Sequence, residues 1–154
     1  MSQVNTSVIV NAPADKVYAF SKEVDQFPEF MPDMKSIEIL KKTPTDAGVE
    51  YLSRWVGFIP KFNLTVKWEE TDLWDDSRRV CEFYMPEGRG DYEVYRGVWE
   101  FLDNGDGTTL VKLSMEVEYN VPMVGGLIKK LIAKLVKENA DGMLAAIKEQ
   151  VEKA

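Results

Sequence analysis

The 154-residue sequence contains no histidine and a single cysteine. Without histidine, no Ser-His-Asp triad, Cys-His dyad or His-ligated metal site can be assembled. Proton transfer near neutral pH then falls to a perturbed Glu, Asp, Lys or Tyr, or to bound water. Cys81 has no partner for an internal disulfide and is too few for a multi-cysteine zinc site. In a strand-like run it reads as a small core residue. The expectation is that the protein holds no metal and no cofactor. No stretch approaches the ~20 apolar residues of a membrane span, so stable membrane insertion is not expected. The start, Met1-Ser2-Gln3-Val4-Asn5, lacks the basic residues and apolar run of a signal peptide. These absences predict a soluble, cytoplasmic, reduced protein. Positive charge is also short: 19 Lys+Arg against 26 Asp+Glu give a net charge of −7. That balance repels phosphate backbones, and nucleic acid is not expected as a partner.

What is present is enough to build a core, since 45% of the residues are hydrophobic. The length favours one domain, residues 1–154. Thr6–Val10 reads as a short strand. Asn11-Ala12-Pro13-Ala14-Asp15 then looks like a helix start, with an early Pro and an acid at the positive end of the helix dipole. Asp25 to Pro32 suggests a short buried helical turn. From Met34 the pattern alternates as strands do, with turns at Pro44–Gly48, Ile59–Lys61, Trp74–Ser77, Pro86–Gly90 and Asp103–Gly107. Phe62, Leu64, Val66 and Trp68 alternate with polar neighbours, as do Val111, Leu113, Met115, Val117 and Tyr119. Strands joined by short turns predict an antiparallel meander. After Pro122 the period changes to 3.6, and about thirty residues form an amphipathic helix roughly 45 Å long. Gly142 inside it implies close packing or a bend. The order is strand, two short helices, six strands, one long helix. The fold class is therefore α+β, with a curved antiparallel sheet of about seven strands wrapped on the C-terminal helix.

The side chains expected to face inward are unusually large. Phe62, Trp68, Phe83, Tyr95, Trp99, Phe101, Met115 and Tyr119 come from the sheet, and Leu131 and Leu135 from the helix. The strand around residue 54 has ambiguous parity. Trp55 and Ser53 inward is the favoured reading, leaving Arg54 at the surface. Two readings of these side chains stay open: a solid core with aromatic filler, or a gap between sheet and helix filled by a ligand.

The motifs favour the second. Ala12-Pro13-Ala14-Asp15-Lys16-Val17-Tyr18 resembles the opening of the polyketide cyclase/dehydrase group of the START-like (SRPBCC) superfamily. Asp25-Gln26-Phe27-Pro28-Glu29-Phe30-Met31-Pro32 is similar to that group's aromatic second helix. Tyr95-Arg96-Gly97-Val98-Trp99-Glu100-Phe101 resembles its G-x-W strand, and Gly107-Thr108-Thr109-Leu110-Val111 its G-T-x-[VL] hairpin. The resemblance runs from Val8 into the last helix. It implies the helix-grip fold and an elongated pocket for a lipid, quinone or polyketide. Some relatives are aromatase/cyclases, and others act through protein contacts as modules with a filled core.

On this reading Trp55, Phe62, Trp68, Phe83, Tyr95, Trp99, Met115, Tyr119, Leu131 and Leu135 line the pocket around a hydrophobic small molecule. The candidates for chemistry are Glu70, Tyr95 and Arg54. Glu70 either continues the inward face, where burial raises its pKa, or sits in solvent where the strand ends. Asp103–Gly107 reads as a hairpin turn rather than a calcium loop, because Ser114 stands where the bidentate Glu belongs. Lys129, Lys130, Lys134 and Lys137 read as a solvated helix face, the alternative being transient contact with an anionic membrane surface. Pro122, Met123, Gly125 and Gly126 form a lid or a simple connection.

Overall fold

The structure, a computed structural model, describes residues 2–119 and 126–154, with side chains from 130 onward in the second segment. β1 (Ser2–Val10) leads into α1 (Ala14–Lys22) and a 3-10 turn (Val24–Glu29). Six strands follow: β2 (Met34–Pro44), β3 (Gly48–Ile59), β4 (Leu64–Asp75), β5 (Val80–Tyr84), β6 (Tyr92–Asp103) and β7 (Thr109–Tyr119). The long helix α2 (Gly126–Lys153) ends the chain. The order is the one predicted, with β1 starting earlier than the expected Thr6.

The seven strands form one antiparallel sheet in the order β1-β7-β6-β5-β4-β3-β2. All neighbours but one are consecutive; the exception is β1, which pairs with the last strand. Register irregularities fall between Met34 and Ser36, between Ile39 and Lys41, and between Tyr92 and Val94. Such bulges bend a strand and increase its twist, and these curve the sheet around the helix. Gly97 lets that curvature close: a Cβ on it would lie 2.7 Å from Phe83 Cζ and 2.4 Å from the Ser114 carbonyl.

α2 leans on the β1–β7 end of the sheet. Thr6 Oγ1 donates to Asp141, Lys148 Nζ donates to the Ile9 carbonyl at 2.9 Å, and the Asn11 amide donates to Glu152 at 2.8 Å. Ile132, Val136, Met143, Leu144, Ile147 and Val151 bury its apolar stripe. Lys130, Lys134 and Lys137 lie exposed on the other side, Lys137 paired with Asp141. Cys81 is buried. Asp103 and Asp106 accept hydrogen bonds from their own hairpin, whose Gly105 and Gly107 have φ of 81° and 87°.

Two expectations need correction. Gly142 is exposed and a Cβ on it would meet nothing, so close packing does not explain it. Phe62 belongs to a 3-10 turn (Pro60–Phe62), not to β4, and is 39% exposed. Asn63 follows at φ 49°, a left-handed residue that breaks the alternation before the strand begins at Leu64. Pro122, Met123, Gly125 and the Lys129 side chain lie outside the described residues.

Candidate functional site

Alternation along β3, β4, β5, β6 and β7 turns one face of each strand toward α2. Because the helix rests on the β1–β7 end, a cavity of about 380 Å³ remains over the middle of the sheet. Its depth is built by Trp55, Trp68, Phe83, Tyr92, Tyr95 and Trp99, joined by Leu113 and Met115. Leu135, Val136, Ala140 and Met143 close it from the helix side. The exposed end carries Pro60, Lys61 and Glu138. Trp55, Trp68, Tyr92, Tyr95 and Phe83 form a continuous set of rings, while Trp99 stacks on Phe101. Trp55 and Trp68, direct partners across β3 and β4, stack at 5.8 Å between centroids. Tyr95 packs 5.1 Å from Trp68 and 5.6 Å from Phe83, and Tyr92 lies 4.8 Å from Tyr95.

A polar network underlies this wall. β4 does not end at Glu69 but stays paired with β3 as far as Asp75. Glu70 and Asp72 therefore continue the inward face and are buried, Glu70 at 3% exposure. Trp68 Nε1 donates to Glu70 at 2.8 Å. Trp55 Nε1 donates to Ser53 Oγ at 2.8 Å, and Ser53 Oγ donates to Asp72 at 2.7 Å. The two stacked indoles are thus anchored by their N–H groups. Burial drives the Glu70 pKa well above the carboxylate range, and the Asp72 charge and a hydrogen bond with Asp72 push it further, against the Trp68 N–H. Burial also raises Asp72, but the hydrogen bonds from Glu70 and Ser53 favour its charged form. Glu70 is the member of the pair that keeps its proton, and it lines the cavity. Behind it a void of about 10 Å³, the lower limit for one water, touches Ser21, Asp72, Trp74 and Cys81. Ser21 Oγ and Trp74 Nε1 are buried there without a hydrogen-bond partner among the described residues. Burial, followed by the nearby Glu70, raises the Tyr95 phenol well above its usual value.

Of the residues expected in the pocket, Trp55, Trp68, Phe83 and Tyr95 come together at the cavity, as do Trp99, Met115 and Leu135. Phe62 and Leu131 are not among its lining, and Tyr119 reaches it only by packing on Tyr92 at 5.6 Å. Arg54 is on the opposite face, 52% exposed and near Glu38 and Glu69, which removes it from any chemistry inside. Asp72 and Tyr92 were missed. A second acid two residues beyond Glu70 was the available signal for Asp72. Tyr92 lay in a segment whose alternation is interrupted by the bulge.

The family model described as "Polyketide cyclase / dehydrase and lipid transport" matches residues 10–144. The chain belongs to this family. No curated protein matches it. Among solved structures, TTHA0849 from Thermus thermophilus is 30% identical, with a TM-score of 0.87 over 99% of this chain and 98% of that one. The Zhui aromatase/cyclase from Streptomyces sp. R1128 is 18% identical, with a TM-score of 0.84 over 99% and 94%. A START superfamily protein from Mycobacterium smegmatis is 18% identical, with a TM-score of 0.78 over 98% and 97%. The last two establish the helix-grip fold. The polyketide cyclase family's description spans cyclisation and the carriage of hydrophobic molecules, and the cavity has the position and lining for an apolar guest.

Proposed function

We propose that the chain, acting as one domain, binds a bulky apolar or aromatic small molecule between the sheet and α2. The observation that carries this is the cavity of about 380 Å³ with its aromatic wall. That volume lies at the lower end of small-molecule pockets and suits a compact ring system. Burying about 150–250 Å² of aromatic surface at ~25 cal/mol per Å² gives about 4–6 kcal/mol before the costs of association. The test is native mass spectrometry of the freshly purified protein, followed by titration with fused-ring aromatics while reading tryptophan fluorescence. Three indoles line the cavity, so a bound ring must quench them. No quenching by any such compound would sink the proposal.

The aromatase/cyclase reading is supported by one feature, the protonated Glu70 facing the same cavity as Tyr95. A positioned acid of raised pKa can protonate a carbonyl oxygen during aldol closure of a poly-ketone. With Arg54 outside, Glu70 and Tyr95 are the groups left to do so. Product analysis with a poly-ketone substrate decides: unchanged product after replacing both removes the reading.

A further inference from the structure

We infer that the ligand carries a positively charged nitrogen on its aromatic or apolar body, seated against Glu70 among the indole rings. This rests on the binding reading above and names the chemical class of its ligand.

The first observation is the charge inventory of the cavity. The acids on its lining are Asp33, Glu70 and Glu138, running from the exposed end to the deepest wall. Among the described lining residues the one basic group is Lys61, exposed in the Pro60–Phe62 turn. Nothing inside offers a cation to a carboxylate or phosphate head, so an anionic guest finds no counter-charge at the depth of the site. The second observation is geometric. Glu70 is nearly sealed from solvent, and its described side-chain hydrogen bonding involves the Trp68 N–H and Asp72, with no basic partner. A buried acid pair without a cation is the arrangement that a ligand's ammonium completes. The third is the wall itself. Trp55, Trp68, Trp99 and Tyr95 line the same cavity as that acid, and aromatic rings attract ligand cations, most strongly when these are desolvated.

The proton balance follows. In the empty cavity burial beside Asp72 favours the protonated form of Glu70. An arriving ammonium supplies the missing opposite charge, Glu70 ionises, and its proton leaves to the buffer while the amine keeps its own. The other titratable groups facing the site are Asp72 on the same strand, Tyr92 and Tyr95 on β6, Cys81 on β5, and Asp33, Lys61 and Glu138 at the open end. The phenols and the thiol are raised by burial and stay neutral across the working range.

The experiment compares three probes with one ring system: naphthylethylamine, naphthylethanol and naphthylpropionic acid. Each is titrated calorimetrically into the full chain at several pH values and in two buffers of different ionisation enthalpy. The expected order is amine over alcohol by about tenfold, with the acid weakest. Amine affinity should rise by up to about tenfold per pH unit while Glu70 remains protonated in the free protein. The buffer comparison should show proton release. Glu70→Gln should bring the amine-to-alcohol ratio within about twofold and abolish the release, its fold checked by circular dichroism. The pH slope of the unaltered protein tests the same point without a variant. Equal binding of the three probes, preference for the acid, or a ratio that survives Glu70→Gln overturns the inference and leaves the binding reading standing. Failure of all three to bind overturns both.

Discussion

Replacing Glu70 by glutamine keeps the shape of the side chain and its acceptor for the Trp68 N–H while removing an ionisable group from the interior. Its folded pKa lies well above the ordinary 4.5 because the group is buried beside Asp72. An acid with a raised folded pKa binds its proton more tightly in the native state than in the unfolded chain. From about pH 4.5 up to the folded pKa, the native state therefore holds more protons, and stability falls as pH rises. One such group contributes a slope of up to about 1.4 kcal/mol per pH unit. Asp75, Asp76, Asp106, Asp141 and Glu152 act in the opposite sense, since hydrogen bonds and nearby cations hold their pKa values down. Their stabilisation is present above their ordinary values of 3.8 and 4.5 and is lost only as pH falls through the lowered ones. Urea denaturation between about pH 5.5 and 7.5 thus isolates the buried pair. The wild-type protein should lose stability across this range, and Glu70→Gln should be shallower by up to about 1.4 kcal/mol per pH unit. Parallel lines for the two proteins would refute the claim that Glu70 is buried and protonated.

Gly97→Ala should cost about 1–3 kcal/mol, because its methyl group runs into Phe83 and the Ser114 carbonyl; the urea midpoint reads this, and an unchanged midpoint contradicts the β6–β7 register. Trp99→Ala should weaken binding of a fused-ring aromatic by about tenfold or more. Phe62→Ala should leave the same dissociation constant within about twofold, since Phe62 is outside the cavity. Cys81 should resist a thiol reagent in the native protein and titrate as one thiol in denaturant, because burial removes it from solvent and pushes its pKa up.

The architecture could be read from the residues because its signals are local: strict alternation through β7, a switch to a 3.6 period in α2, and turn residues between strands. The facing of Trp55, Trp68 and Trp99 followed from the same alternation. The misreadings occur where a non-local force overrides a local pattern. Leu64, Val66 and Trp68 extend backward to Phe62 on paper, yet the left-handed Asn63 interrupts the series. Glu69 and Glu70 look like a strand end, yet pairing of β3 with β4 carries the chain to Asp75 and buries two acids. Leu131 and Leu135 are one turn apart on a helix, but α2 tilts onto β1 and β7, so Leu135 reaches the cavity and Leu131 does not. Pairing partners and helix tilt are properties of the assembled sheet, and no window of neighbouring residues contains them.

The pairing of β1 with β7 sets Ser2 opposite Val117, so the first-made strand waits for the last before its edge is covered. On the ribosome, most of the chain must emerge before this sheet can be completed, and α2 follows later still. Such distant partners make for slow closure. The guest chamber is consequently unable to hold anything until both β7 and α2 have been made and have joined β1.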